Sequence, residues 1–326
     1  MLRSETAANP VRMQQALAGL RRYQEAARAP PRPPMPALAE QLGASLRDYG
    51  GSGPPVVFIP SLINPPGILD LSEERSLLCW LAARGHRPLL LDWGWEVGAR
   101  QDLDVAGHVS EIAVPLVRSL GEPAALVGYC LGGTMALAAA RPTGASGVAT
   151  VAAPWHFSGF PDEARMMLAG LWRACAPVVD RLGVLPMEVL QSAFWSLDPA
   201  RTVAKFEAFA DMADGSPAAE MFVQLEDWAN DGPPLSAAAA RELFEGFFAR
   251  DAPGLGRWGG DPAALPCPLL HIVSTRDRIV PAASAPPGGQ RIDLAQGHVG
   301  MMIGRRAPDT LWAPLSAWLS RIAASC

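Results

Sequence analysis

Lysine is almost absent from this sequence: Lys205 is the only one, and arginine supplies nearly all of the positive charge. The 27 basic side chains are outnumbered by 32 acidic ones, so no basic excess marks a nucleic-acid-binding surface. The five cysteines are widely spaced and form no CxxC pair, which argues against a disulfide framework and against a zinc site. No apolar run reaches the roughly 20 residues of a membrane-spanning helix, and the chain does not start with an apolar signal region. We therefore expect a reduced, cytoplasmic protein without a membrane span.

Apolar side chains, in contrast, are plentiful. Hydrophobic residues make up 49% of the 326 residues and mean hydropathy is +0.13, so the chain can bury a large core. The 32 prolines and 31 glycines indicate many turns rather than one long helical array. This length fits a single domain with an insertion, or two modest domains.

The pattern between residues 54 and 153 alternates short apolar runs with helix-forming segments. The apolar run Val56–Ile59 predicts a buried strand. Ser72 followed by two acidic residues predicts the start of a helix. The alternation stops after Trp155 and strand signal returns at residues 268–273. This order predicts a mostly parallel α/β sheet flanked by helices, with one helical insertion.

Domain boundaries follow from the same pattern. We predict an N-terminal helix and a proline-rich arm, two parts of an α/β core, and a helical cap inserted between them. These segments are residues 1–50 for the helix and arm, 51–155 and 261–326 for the core, and 156–260 for the cap.

A candidate nucleophile lies in the segment Gly128-Tyr-Cys-Leu-Gly-Gly133, between a predicted strand and a predicted helix. A nucleophile on such a tight strand-to-helix turn tolerates only small neighbours, and Gly128 and Gly132 leave that room. The N-terminus of the following helix favours the thiolate of Cys130. The alternative interpretation is that Cys130 is a buried structural cysteine on a glycine-rich bend. The other four cysteines lack this setting, and we interpret them as structural.

The candidate base and acid follow later strands. His298 lies just after the last predicted strand, and Asp277 comes directly after the strand at 268–273. The chain order Cys130, Asp277, His298 is the order of nucleophile, acid and base in triads built on such a turn. Asp92 also follows a strand but precedes the nucleophile. Asp277 could instead cap a turn and pair with a neighbouring arginine.

The other four histidines are weaker candidates. We interpret His271 as a core residue, His86 as part of a surface turn, and His108 as a helix residue without an evident partner. His156 follows a strand and could line a site.

Two backbone N–H groups are needed to stabilise an oxyanion. Position alone assigns one to Leu131, directly after the nucleophile, and the other to Leu62 or Ile63 after the first core strand.

These motifs together resemble the polyhydroxyalkanoate synthases, the branch of the α/β-hydrolase fold that uses a cysteine nucleophile. The resemblance covers about residues 55–155 and 225–305 and is weak from 160 to 220. It rests on the segments Ser61–Asn64, Gly67–Leu71, Leu91–Gly94, Leu126–Gly133, Glu226–Asp231, Asp277–Pro281 and Gly297–Gly300. Dienelactone hydrolases share the Gly-Tyr-Cys-x-Gly-Gly turn but are shorter and lack the Ser61–Leu71 pattern and the long insertion.

The resemblance implies an acyltransferase with a Cys130–His298–Asp277 triad. It would take 3-hydroxyacyl groups from CoA thioesters through an acyl-cysteine, with no bound cofactor and no metal. It also implies a growing polyester chain as a partner, association with polymer granules, and a homodimer or a complex with a second synthase subunit. The CoA-phosphate contacts stay unassigned, because the arginines are scattered.

Two departures from the family pattern keep other functions open. Ala282 stands where the family often has tryptophan, and His156 stands where it commonly has aspartate. One alternative is a hydrolase of thioesters, esters or lactones that passes the acyl group to water. The other is a non-catalytic synthase-like subunit, which the complete triad argues against.

Overall fold

The structure, a computed structural model, describes residues 2–28, 32–95 and 98–324, except for the side chains of 196 and 197. Residues 29–31 of the predicted proline-rich arm and Cys326 lie outside this part. The chain divides into two compact units. One joins residues 1–33 to residues 187–231, and the other joins residues 34–186 to residues 232–326.

The larger unit is built on an eight-stranded sheet whose order is β1-β2-β4-β3-β5-β6-β7-β8. The first two pairs in that order, β1 with β2 and β2 with β4, are antiparallel, and the remaining pairs are parallel. The strands are β1 Ala37–Gln41, β2 Ala44–Asp48, β3 Pro55–Ile59, β4 Arg87–Asp92, β5 Ala125–Tyr129, β6 Gly147–Val151, β7 Leu269–Ser274 and β8 Gln290–Leu294. The mostly parallel sheet predicted from the sequence is confirmed.

The four central strands β3, β5, β6 and β7 are buried along their whole length. Near-continuous apolar strands are typical of a parallel sheet that is covered on both faces by helices. The helices of this unit are Leu77–Ala82, Val105–Gly107 continuing through His108–Ala113 to Val114–Arg118, Leu131–Thr143, Asp162–Leu182, Ala237–Arg241 continuing to Glu242–Ala249, Gly300–Ile303, and Pro308–Trp312 continuing to Ala313–Ala323.

One local feature differs from the sequence-based expectation. Ser72 does not start a helix, because residues Asp70–Ser72 and Arg75–Ser76 form a small antiparallel ladder. The helix starts later, and the Ser76 hydroxyl caps it by accepting the Cys79 N–H at 3.0 Å. In the helical segment that contains Pro115, a wider π-helical turn over His108–Ala113 directly precedes Val114–Arg118. A π-turn shifts the backbone hydrogen bonds and so can accommodate a residue that lacks an N–H.

The smaller unit consists of helices. They are Leu2–Glu5, Pro10–Glu25, Met187–Leu197, Pro199–Ala210 and Pro217–Ala229. Helices Pro10–Glu25 and Pro199–Ala210 approach so closely at Gly19 that an added Cβ would lie 1.9 Å from the Phe206 carbonyl oxygen. Arg12 forms two hydrogen bonds to Glu207, at 2.8 and 3.0 Å. The beginning of the chain and residues 187–231 therefore fold as one helical unit.

No helix in the described ranges is both long enough and apolar enough to cross a bilayer.

The turn after β5 leaves no room for side chains at its glycines. A Cβ on Gly132 would lie 2.0 Å from the Ile59 carbonyl oxygen and 2.6 Å from the Pro60 carbonyl carbon. Since both neighbours are backbone atoms, the strand itself would have to move. We expect Gly132→Ala to lower the free energy of unfolding by about 3 kcal/mol or more, measured by urea denaturation.

Gly170 supplies the matched control, because it lies in helix Asp162–Leu182 with nothing within 4 Å of an added Cβ. Gly170→Ala should be neutral or stabilising by up to about 1 kcal/mol. Equal effects of the two substitutions would contradict the close packing of the turn.

Candidate active site

Cys130 occupies a strained turn between β5 and helix Leu131–Thr143. Its φ of 55° and ψ of −131° lie in a region that residues other than glycine rarely adopt. The turn is held by the Cys130 N–H, which donates to the Val151 carbonyl at 2.9 Å, and by the Cys130 carbonyl, which accepts the Gly133 N–H at 2.8 Å. A strained backbone that is held by hydrogen bonds on both sides is typical of a residue whose side chain must keep a fixed position. Here that position is at the carboxyl edge of the sheet and the start of a helix.

Asp277 and His298 meet at the same edge. The loop after β7 carries Asp277 and the loop after β8 carries His298, and the His298 Nδ1–H donates to the Asp277 carboxylate at 2.6 Å. The other carboxylate oxygen of Asp277 accepts the backbone N–H groups of Ile279 and Val280, at 2.8 and 3.0 Å. The Asp277 side chain is fully buried, and the His298 side chain is 8% exposed. Asp277 therefore has two roles: it stabilises its own turn, and it accepts the hydrogen bond from the His298 imidazole.

Cys130 acts electrostatically on the same imidazole. Because Asp277 occupies Nδ1, Nε2 is the ring nitrogen left to face the sulfur. Burial by itself would lower the pKa of His298, but the negative charges of Cys130 and Asp277 and the hydrogen bonds to both raise this pKa to about 10. The structure thus favours the imidazolium form of His298 at neutral pH, and a neighbouring imidazolium is what activates a cysteine nucleophile.

This ion pair predicts how fast Cys130 reacts with iodoacetamide. Since the pKa of His298 is raised to about 10, the imidazolium persists from acidic pH up to that value and is lost above it. In His298→Gln the cation is gone, and an isolated thiol is only about 1% thiolate at about pH 6.5. We expect alkylation of Cys130 at that pH to slow at least tenfold, measured by peptide mass spectrometry.

Cys175 and Cys267 serve as internal controls in the same samples. Burial raises the pKa of both thiols, and their alkylation should not change in His298→Gln. Unchanged alkylation of Cys130 in the variant would contradict the ion pair.

The three candidate oxyanion donors differ in what they bind. The Ile63 N–H donates to the Ser61 hydroxyl at 3.1 Å, so it is already engaged. Among the described residues, the N–H groups of Leu62 and Leu131 have no such partner. Leu131 is the first residue of the helix that follows Cys130. Leu62 is therefore a better second donor than Ile63.

The competing carboxylate is engaged elsewhere. Asp92 accepts from the Arg47 guanidinium at 2.7 Å and from the Gly94 N–H at 3.0 Å. Its role at the end of β4 is to pair with the neighbouring strand β2.

The remaining histidines have structural surroundings. His271 is buried in β7, where a ring nitrogen is 2.8 Å from the Thr150 hydroxyl. Burial lowers the pKa of His271 and of His108 to about 4, so both stay neutral. His86 bonds Ser316 at 2.8 Å, and burial lowers its pKa as well. His156 contributes its backbone N–H to the Ser284 carbonyl.

Within residues 2–28, 32–95 and 98–324, no three His, Cys, Asp or Glu side chains are grouped so that they could hold a metal ion.

Two residues beside the triad were not singled out by the sequence. The Ser274 hydroxyl donates to the Gln296 carbonyl and so ties the end of β7 to the histidine loop. Tyr129 packs against the His298 ring. In the sequence only their positions could have indicated them: Tyr129 directly precedes Cys130, and Ser274 lies three residues before Asp277.

Comparison with known proteins gives relatives over most of the chain. A subunit from Haloarcula marismortui named poly(3-hydroxyalkanoate) polymerase subunit PhaC is 25% identical over 303 residues, which cover 86% of this chain and 64% of that protein. A protein of the same name from Allochromatium vinosum is 26% identical, over 82% of this chain and 80% of that one. A third, from Haloferax mediterranei, is 26% identical and is covered over 58% of its length.

The chain thus spans about 60% of the length of the two halophile proteins. Models of known protein families give no match. The resemblance to polyhydroxyalkanoate synthases stated from the motifs is confirmed by these relatives.

Solved structures agree on the fold. A monoacylglycerol lipase from Paleococcus ferrophilus aligns with a TM-score of 0.54 at 16% identity, over 86% of this chain and 99% of that one. A carboxylesterase from Nitrososphaera gargenis gives the same TM-score at 12% identity, over 89% and 100%. The fold is therefore that of the α/β hydrolases.

Proposed function

We propose that this chain is an acyltransferase that takes 3-hydroxyacyl groups from CoA thioesters onto Cys130 and passes them to the hydroxyl of another acyl group. The observation that carries the proposal is the Asp277–His298 hydrogen bond of 2.6 Å beside a cysteine on a strained turn. The relatives named as poly(3-hydroxyalkanoate) polymerase subunits supply the substrate class.

In the first step, the Cys130 thiolate attacks the thioester carbonyl carbon. The carbonyl oxygen becomes an oxyanion that accepts the N–H groups of Leu131 and Leu62. The carbon–sulfur bond to CoA then breaks, and the departing thiolate takes the proton from the His298 imidazolium. The result is an acyl-cysteine, free CoA and a neutral imidazole. The attacking and leaving sulfurs are similar in basicity, so the exchange of one thioester for the other is close to thermoneutral.

In the second step, the neutral His298 removes the proton from the 3-hydroxyl of an incoming acyl group. The resulting alkoxide attacks the acyl-cysteine, the oxyanion forms again in the same place, and the Cys130 thiolate leaves. Asp277 holds the imidazole with its proton on Nδ1, so that Nε2 accepts. One ester bond is formed, and the thiolate–imidazolium pair is restored.

Water must be kept from the acyl-cysteine, or the same site acts as a hydrolase. The segment after β6 adjoins the turn, because a Cβ on Gly133 would lie 2.3 Å from the Cβ of Ala153. This segment leads into a cluster of aromatic rings with centroids 4.9–6.3 Å apart, of which all but Phe248 are buried: Trp155, Phe157, Phe160, Phe247, Phe248 and Trp258. An apolar wall of this kind supports transfer to a hydroxyl rather than to water.

Product analysis tests the proposal. The protein is given 3-hydroxybutyryl-CoA, CoA is quantified by chromatography, and solvent-extractable polyester is separated from free 3-hydroxybutyrate. We expect CoA release to be matched by ester-linked product. Release matched by free acid alone would assign the site to a hydrolase, and no release in the presence of candidate partner subunits would favour a non-catalytic subunit.

The partners follow from the same chemistry. A growing polyester is insoluble in water, so an enzyme that extends it belongs at the granule surface. The relatives are named as subunits, and we infer that this chain works as a homodimer or with a second synthase subunit. Adding such a subunit should raise the rate of polymer formation without changing the residue that carries the acyl group.

A further inference from the structure

The residue directly before the nucleophile lies against the base. Tyr129 ends β5, is 4% exposed, and packs its ring against the His298 imidazole with centroids 4.9 Å apart and planes inclined by 33°. Its hydroxyl lies 3.3 Å from the His298 backbone carbonyl and donates to it. Tyr129 therefore touches both the ring and the main chain of the proposed base.

The groups that face His298 can be named from each element packed on it. The turn supplies the Cys130 thiol, the loop after β7 supplies the Asp277 carboxylate, and β5 supplies Tyr129. Burial raises the pKa of the Tyr129 phenol well above its ordinary value, so it stays neutral. The imidazole thus packs against a neutral aromatic ring, while its Nδ1 donates to the Asp277 carboxylate.

We propose that Tyr129 is a positioning residue that fixes the plane of the His298 ring and stabilises its imidazolium form through the face of the phenol. This role rests on the proposed acyl transfer only in that it assigns His298 as the base.

The chemistry favours the charged ring. The face of an aromatic ring is electron-rich and attracts a cation within about 6 Å of its centroid, more strongly when both are desolvated. The neutral imidazole gains much less from the same contact. Tyr129 therefore adds to the effect of Cys130 and Asp277, and the hydroxyl bond to the His298 carbonyl prevents the loop from rotating the ring away.

The direct test is the charge state of His298, which does not depend on any acyl transfer. Protein labelled with ¹⁵N-histidine is titrated by NMR, and the His298 signals are assigned by their loss in His298→Gln. We expect Tyr129→Leu to lower the pH at which His298 loses its proton by about one unit, and Tyr129→Phe to keep most of the wild-type value. Turnover should follow, with kcat lowered in Tyr129→Leu, KM little changed, and rescue by phenylalanine.

Tyr49→Leu is the matched control. Tyr49 is also buried, and its hydroxyl donates to Asp70 at 2.9 Å, away from the triad. This variant should lose stability without moving the titration of His298.

A second replacement keeps the test valid if Tyr129→Leu does not fold. Pentafluorophenylalanine introduced at position 129 keeps the size of the ring but removes its electron-rich face. It should lower the His298 titration as leucine does. An unchanged titration in folded Tyr129→Leu or in the fluorinated protein would overturn the proposal, even if acyl transfer by the wild-type protein were established.

Discussion

Replacing Cys130 with alanine is expected to reduce CoA release from 3-hydroxybutyryl-CoA by at least about 10⁴-fold, because no other group can form the acyl intermediate. The fold should survive. Alanine lacks only the sulfur atom, and the strained backbone at φ 55° is equally strained in both proteins. Chromatographic measurement of CoA over time, with circular dichroism on the same samples, checks both parts.

Cys267→Ala is the matched control, since Cys267 is also a partly buried free thiol and its pKa is raised by burial. It should keep wild-type turnover. Substantial activity in Cys130→Ala, or equal loss in the two variants, would remove Cys130 from the role of nucleophile.

The next largest losses of activity are expected from replacing the base and the acid, and their sizes distinguish the two roles. His298→Gln should stop both acylation and transfer, because no group remains to give or take the proton. Asp277→Asn should be slower than wild type but retain roughly 10–100-fold more activity than His298→Gln, as triad acids do when lost alone. Asparagine can still accept the N–H groups of Ile279 and Val280, so the turn should stay intact.

The slowing expected in Asp277→Asn has a defined cause. The asparagine NH₂ would donate to His298 Nδ1 and so place the ring proton on Nε2, where the base should accept. Rapid-quench kinetics should therefore show acyl-Cys130 forming slowly and persisting. A complete loss equal to that of His298→Gln would show that Asp277 does more than orient and stabilise the imidazole.

The central strands could be predicted from the sequence because their burial leaves an unbroken apolar run. Val56–Ile59 and residues 268–273 match β3 and β7 to within one residue at each end. The antiparallel strands β1 and β2 were not predicted. Their residues are partly exposed and mixed in polarity, and the pairing of β2 with β4 is a long-range contact that no local pattern reports.

The helix start at residues 72–77 shows why local signals mislead. Ser72 and Ser76 are both residues that can cap a helix, and only Ser72 is followed by two acidic residues. The structure uses Ser76, because Asp70–Ser72 and Arg75–Ser76 pair in a small ladder that the local sequence does not reveal. The association of residues 1–33 with residues 187–231 could not be predicted either. It depends on the close approach of two helices at Gly19, which no local sequence pattern reports.

The candidate site was more predictable than its surroundings. Its three side chains are polar or reactive residues at strand ends, and parallel strands bring those ends to one edge. The contact of Tyr129 with His298 left no signature, because an aromatic residue in a buried strand is ordinary core material. Backbone donors such as Leu62 leave no signature at all, since every residue except proline carries a backbone N–H.

The central claim is that Cys130 accepts the acyl group from CoA, and one measurement addresses it directly. Asp277→Asn is mixed with 3-hydroxybutyryl-CoA, quenched in acid within the first turnover, digested, and mapped by mass spectrometry. The account predicts one 3-hydroxyacyl group, on the peptide that contains Cys130, formed together with an equal amount of free CoA. An acyl group on any other residue, or CoA released with Cys130 unmodified at every time point, would contradict it.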